Sequence, residues 1–215
     1  MPALPEPTRS TPTIAGDCAP PLPEVSELPS SLGEIYVALE HALRDSVPWW
    51  DHLGDADFFS PVGEHWSAAD HVRHLTRSVR RVERAMRLPS WALHLLFGRA
   101  TRSSRGYARV REDYRAVLAA GGKAGAYAPR PLDPRQHTAA WRRRIMRHHC
   151  AAVGALQERL LRWNEEDLDS ARLPHPLLGR MTVREVLHFT VNHNLHHVHA
   201  AARRRAESIA PPTGR

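Results

Sequence analysis

Residues 181–205 read MTVREVLHFTVNHNLHHVHAAARRR, and this pattern predicts one long helix. Thr182 and Glu185 have the spacing of a capping box, in which each side chain accepts the other residue's backbone N–H. No proline or glycine follows until Pro211, so the helix can continue for about six turns. The stretch holds more histidines than core packing requires, namely His188, His193, His196, His197 and His199.

Helical phase separates these histidines into two groups. At 100° per residue, His193 and His197 point in one direction, in the same sector as Val186 and Phe189. A buried imidazole without partners is costly because its ring carries both a donor and an acceptor. A metal would satisfy both rings, and we expect a third ligand from another helix. The opposite sector is predicted to face solvent and contains His188, Asn192, His199 and Arg203.

Helical spacing of apolar residues recurs through the chain, whereas no alternating strand pattern of useful length is present. Pro48 and Pro89 indicate helix ends. The predicted fold class is therefore all-α, a four-helix bundle with crossover connections plus a short extra helix. Before the histidine-rich helix, the predicted helices cover residues 31–47, 67–88, 91–97 (the short one), 104–120 and 136–163.

Composition predicts a single folded domain between two tails. Residues 1–30 are rich in proline, serine and threonine and read as a disordered tail, residues 31–206 as the helical domain, and residues 207–215 as a C-terminal tail. Cys18 and Cys150 are the two cysteines, which excludes a disulfide framework. No targeting pattern or apolar run near the ~20 residues of a membrane span occurs, so we expect a cytoplasmic protein.

The net charge is +7, and nearly all basic residues are arginines, with Lys123 the only lysine. We interpret this arginine bias as genomic base composition rather than function. Nucleic-acid binding is the weakest of our functional hypotheses, and it would require the arginines of one helix face to join Arg203–Arg205 on a continuous surface. That face is predicted to be solvated and contains Arg77, Arg80, Arg81 and Arg84.

Two histidines of the 67–88 helix are candidates for the third ligand. On the helical wheel His71 lies closer to the apolar stripe and His74 lies at its edge, so periodicity slightly favours His71. A residue at the edge of a stripe can still point into a cavity between helices. The spacing therefore leaves both candidates open.

Two blocks of this sequence resemble the DinB-like superfamily (DinB/YfiT type) of metal-binding four-helix bundles. Residues 66–75, WSAADHVRHL, resemble its opening motif, and residues 175–185, HPLLGRMTVRE, followed by HxxHH at 193–197, resemble its closing segment. The element order is similar over roughly residues 31–205, but only these blocks are specific. Carried over by position, the resemblance implies three metal ligands, namely His74, His193 and His197. It thus prefers His74 to His71 as the ligand from the 67–88 helix.

The resemblance also implies a chemistry. Three imidazoles suit Zn²⁺ first, and also Ni²⁺ or Fe²⁺, and leave an open coordination position. Characterised relatives include thiol S-transferases that use bacillithiol or mycothiol, and a mycothiol-dependent maleylpyruvate isomerase. We therefore expect a metal-dependent enzyme of the thiol S-transferase type acting on a small molecule with a low-molecular-weight thiol. The alternatives are a metal-dependent hydrolase and a non-catalytic metal-binding stress protein. A homodimer is also expected.

One position departs from the pattern of similar sequences, which often carry a glutamine where this chain has Ala200. Asn192 or His196 could replace that polar group. Trp66, Trp91 and Trp163 are predicted to lie in the core or in a cavity wall, and Cys150 in the core. The remaining candidate histidines are predicted to lie in loops or at the surface: His65, His137, His148, His149 and His175.

Overall fold

The computed structural model describes residues 19–22, 24–25 and 29–209. This part of the chain is mostly helical, with a single two-stranded sheet among the described residues, which confirms the all-α class. Two short 3-10 turns cover Gly125–Tyr127 and Pro134–Gln136, and one hairpin pairs β1 (Arg172–His175) with β2 (Gly179–Thr182). The α-helices are α1 (Leu32–His52), α2 (Asp55–Phe59), α3 (Ala68–Ala85), α4 (Ser90–Phe97), α5 (Tyr107–Ala119), α6 (Ala139–Leu160), α7 (Glu165–Ser170) and α8 (Val183–Ile209).

Helix α8 is the central element. Helices α1 and α3 each pack against both α6 and α8, and α5, α7 and the hairpin cover further sides of α8. None of these helices is long and apolar enough to cross a membrane. Most of the predicted N-terminal tail and residues 210–215 lie outside the described residues, as does Cys18, whereas Cys150 is half-buried on α6.

The predicted capping box starts α8. The Thr182 N–H donates to Glu185 Oε2 at 3.1 Å, and the Glu185 N–H donates to Thr182 Oγ1 at 3.2 Å. Glu185 is fully buried and also accepts from Arg102 and Arg105. Burial alone would raise the pKa of Glu185, but these guanidinium groups lower it to about 2. The first turn of α8 is therefore fixed by a closed set of polar partners.

Helix α1 continues beyond its predicted end. Pro48 lies inside the helix, which runs on to His52. An internal proline removes a helical hydrogen bond and costs about 3 kcal/mol. Trp49 and Trp50 directly follow it and are buried, and burial of two indole rings offsets that cost. Packing against the rest of the core thus overrides the local signal.

Sequence periodicity missed the hairpin, as it missed the short helices α2 and α7. Four residues per strand, one of them Pro174, are too few for an alternating pattern to be recognised. Gly179 adopts a φ of +70° at the start of β2, a conformation that favours glycine. The hairpin packs against α8 and brings His175 to Phe189, with ring centroids 4.3 Å apart.

Several predictions of burial are wrong, and those on α8 are wrong because this helix has neighbours on most sides. His188 and Asn192 were predicted to face solvent, yet they are 1% and 7% exposed. His149 is also buried, between α6 and α3, whereas Trp91 of α4 is 68% exposed rather than part of the core. Arg77 of the predicted solvated face is half-buried and donates to the Ala128 carbonyl oxygen at 2.9 Å. Other predictions are confirmed. Exposed positions include Arg80, Arg81, Arg84, His65, His137 and His148, and half-buried positions include Trp66 and Trp163.

Candidate metal centre

Three histidines from two packed helices converge on one point. His193 Nε2 lies 3.1 Å from His74 Nε2 and 3.0 Å from His197 Nε2. One ring nitrogen of each residue lies within 4.8 Å of the others, and all three side chains are buried. His193 and His197 are one turn apart on α8, and α3 supplies His74. The structure thus brings together the three residues that the resemblance implies as ligands.

The backbone fixes the tautomer of His74. Its Nδ1 lies 2.9 Å from the carbonyl oxygen of Tyr127. Because a carbonyl oxygen can only accept, Nδ1 must carry the proton, and the neutral ring keeps its lone pair on Nε2. That lone pair points towards His193. The 3-10 turn after α5 therefore orients a candidate ligand of α3.

His71 lies behind the group rather than in it. Its Nδ1 is 2.7 Å from His197 Nδ1. When His197 donates its Nδ1 proton to His71, the lone pair of His197 Nε2 faces the other two histidines. The two candidates that spacing left open thus occupy different places: His74 lies within the converging group, and His71 holds a member of it.

The donor set fits a metal ion better than it fits hydrogen bonds among imidazoles. His193 Nε2 faces the Nε2 atoms of both His74 and His197, and a single proton can satisfy only one of them well. A cation accepts all three lone pairs at once. Tetrahedral zinc with Zn–N bonds of 2.0–2.1 Å requires nitrogens about 3.3 Å apart. The two separations from His193 Nε2 are close to this value, and all three nitrogens lie within 4.8 Å of one another.

Burial keeps these rings neutral. It lowers the pKa of His193 and of His197 well below 6.5, and neighbouring histidines add to the effect. It also lowers the pKa of His74, and that of His71 to about 3. A metal binds the neutral imidazole, so protons compete weakly for these nitrogens at neutral pH.

Aromatic side chains form the walls around the three histidines. The Trp66 ring lies parallel to that of His197, 6.0 Å away, and 5.0 Å from that of His74. On the other side, the Tyr114 ring meets His193 edge-on at 5.9 Å. Burial raises the pKa of Tyr114 to about 12, so its phenol keeps its proton and can act as a donor.

The three histidines line a cavity of about 750 Å³ that opens to solvent. The cavity extends from these buried rings, past Trp66 and Tyr114, to the exposed residues Arg81, Leu88 and Lys123. Its volume is within the range of small-molecule sites. A molecule of that size can therefore reach the point where the imidazole nitrogens converge.

Two further histidines line this cavity. The His196 ring lies 5.3 Å from that of His197, and burial lowers the pKa of His196 to about 4. His175 was predicted to lie in a loop or at the surface, but β1 places it half-buried in the cavity wall. Its Nδ1 accepts the N–H groups of Leu177 and Leu178 at 3.2 and 3.1 Å, so Nε2 carries the proton. Only the hairpin, which the sequence did not signal, puts His175 there.

Ala200, at the position where similar sequences often carry a glutamine, provides no polar side chain. Of the two proposed substitutes, His196 lines the cavity. Asn192 lines a different groove, between α5 and α8, together with Arg111 and Arg203. His196 is therefore the better placed of the two.

No protein-family model, curated protein or solved structure matches this chain. The residues of the three-histidine group and its cavity thus carry the functional interpretation.

Proposed function

We propose that His74, His193 and His197 hold a divalent metal ion, with Zn²⁺ expected first and Ni²⁺ or Fe²⁺ as alternatives. We also propose that α1, α3, α6 and α8 form a DinB-like four-helix bundle. Support comes from the two motif blocks, from the mutual packing of these helices, and from the convergence of the three nitrogens.

The open cavity beside the group is the observation that favours an enzyme. Closed structural zinc sites have four protein ligands, whereas catalytic sites have three and keep one position for water or substrate. The converging group among the described residues has three histidines, and a cavity of about 750 Å³ lies beside it. A storage or stress protein would be expected to seal its metal with side chains.

A metal in this site would lower the pKa of a water or thiol at its open position. The chain's own residues provide complementary roles. Tyr114 keeps its proton and can donate to a developing negative charge, whereas neutral His196 can accept a hydrogen bond. His175 Nε2–H offers a second donor. We therefore favour transfer of a low-molecular-weight thiol to an electrophile, with metal-dependent hydrolysis as the alternative.

Metal content tests the ligand assignment. Purified His193→Ala protein should fall from about one metal ion per chain to nearly none by elemental analysis, because the two remaining imidazoles lose their central partner. Circular dichroism should show most of the helix retained. His148→Ala is the matched control because this exposed histidine of α6 lies outside the site. Equal metal content in His193→Ala and wild-type protein would reject the assignment.

Activity assays separate the reaction classes. Metal-loaded protein should be incubated with bacillithiol or mycothiol and an electrophilic acceptor, and separately with ester and amide substrates. Conjugation that depends on both thiol and metal supports the transferase, and thiol-independent hydrolysis supports the alternative. Bound metal without either activity across these panels would favour a non-catalytic binder.

A further inference from the structure

The cavity beside the three histidines has walls that are mainly apolar. Its lining comes from Trp66, α3, α4, α5, residues 123–128, the hairpin and α8, and its polar side chains are few outside the histidines, Ser78, Arg81 and Lys123. A polyhydroxylated molecule would lose hydrogen bonds to water here without replacing them. The main body of a ligand that fills this space should therefore be apolar. Representative wall residues are Val82, Leu93, Phe97, Leu118, Val186 and Phe189.

The charges at the mouth of the cavity have one sign. Arg81 and Lys123 line it, and no acidic residue does so among the described residues. The Arg81 guanidinium lies over the Tyr127 ring, 4.4 Å from its centroid, and no ion pair of Arg81 or Lys123 occurs in the described part of the chain. Arg105 and Arg184, in contrast, are paired with carboxylates near the start of α8. The two mouth cations are thus available to an anion.

The spacing along α3 sets the length of such a ligand. His74 and Arg81 are seven residues apart on this helix, which corresponds to about 10 Å along its axis. Both residues line the same cavity. A molecule can therefore place an anionic group at Arg81 while its other end reaches the three histidines.

We propose that the cavity binds an amphipathic carboxylate, with its apolar body against the walls, its carboxylate at Arg81 and Lys123, and its other end at the three histidines. In the proposed transfer this molecule is the electrophilic acceptor rather than the thiol. The inference rests on the proposed function only for that role, because the apolar walls and the two cations act on the ligand with or without a metal.

Calorimetric titration of metal-loaded protein with decanoate, and with 1-decanol as its uncharged analogue, tests the proposal. The double variant Arg81→Gln/Lys123→Gln should bind decanoate about tenfold more weakly, because charge-assisted hydrogen bonds are lost. Its affinity for 1-decanol should change less than twofold. Arg80→Gln is the matched control, since Arg80 is an exposed neighbour on α3 outside this cavity's lining, and it should bind both ligands like the wild type.

Three results would overturn the proposal. The first is no decanoate binding to folded, metal-loaded protein, and the second is an equal loss of decanoate and 1-decanol affinity in the double variant. The third is a decanoate affinity that falls when the metal is removed by a chelator but does not fall in the double variant. The third result would place the carboxylate at the metal. Metal content measured on the same samples keeps the two proposals separate. Charge-dependent decanoate binding by protein that takes up no metal would support this inference while rejecting the metal site.

Discussion

Two regions of α8 bury polar side chains in opposite ways. At its first turn, Glu185 is surrounded by Arg102, Arg105 and the Thr182 N–H, so each carboxylate oxygen is satisfied by the chain itself. Two to three turns later, His193 and His197 meet His74 with their Nε2 atoms turned towards one another beside a cavity. A polar group whose partners are complete stabilises the fold, whereas converging lone pairs next to an open space are suited to a ligand.

The largest effect is expected at the closed region. Glu185→Leu removes the buried carboxylate and leaves Arg105 without its main partner, which should lower the free energy of unfolding by about 3–5 kcal/mol. Urea denaturation measures this loss. Metal content per folded molecule should stay unchanged, because no candidate ligand is touched. Glu158→Leu, at an exposed position of α6, is the control. A change below about 1 kcal/mol would contradict a structural role for this network.

Lowering the pH should affect a buried histidine such as His149 before it affects the buried carboxylate of Glu185. Burial lowers the pKa of His149 to about 4, so the unfolded chain takes up a proton below pH 6.5 while the folded chain does not. The stability that depends on neutral His149 is thus complete above pH 6.5 and is lost as the pH falls towards 4, by roughly 3 kcal/mol. The pKa of Glu185 is lowered to about 2, so its contribution is lost only between about pH 4.5 and 2.

Urea denaturation of metal-free protein at a series of pH values checks this order. His149→Phe should make the upper part of the profile, between pH 6.5 and 4, less steep by the share of one histidine and leave the lower part in place, because other buried histidines such as His188 and His196 also titrate there. Glu185→Gln should do the reverse, since an amide does not titrate. Identical profiles for His149→Phe and wild type would show that folding does not lower the pKa of His149.

The smallest effect is expected for the residue behind the histidine group. His71→Ala removes the partner of His197 Nδ1 but no converging nitrogen, so it should weaken metal binding about 10- to 100-fold while one metal per chain still binds. His74→Ala should instead lose the metal. Competition with a chromogenic chelator measures both affinities. If the two variants bound metal equally, the distinction between them would be wrong.

Local sequence determined a substantial part of this protein. The start of α8 at Thr182 and Glu185 and the shared direction of His193 and His197 follow from spacings of three and four residues. The exposed arginines of α3 follow from its amphipathic pattern. These features depend only on helix geometry, which any helical stretch must obey wherever it packs.

Tertiary structure decided what lies around those helices. His71 and His74 are three residues apart and differ little in periodicity, and it is contacts with residues more than a hundred positions away that place them differently around the group. Pro48 remains helical because Trp49 and Trp50 are buried, and His188 is buried because α8 has neighbours on most sides. Periodicity specifies which residues share a face, but burial of that face depends on long-range packing, which no local pattern contains.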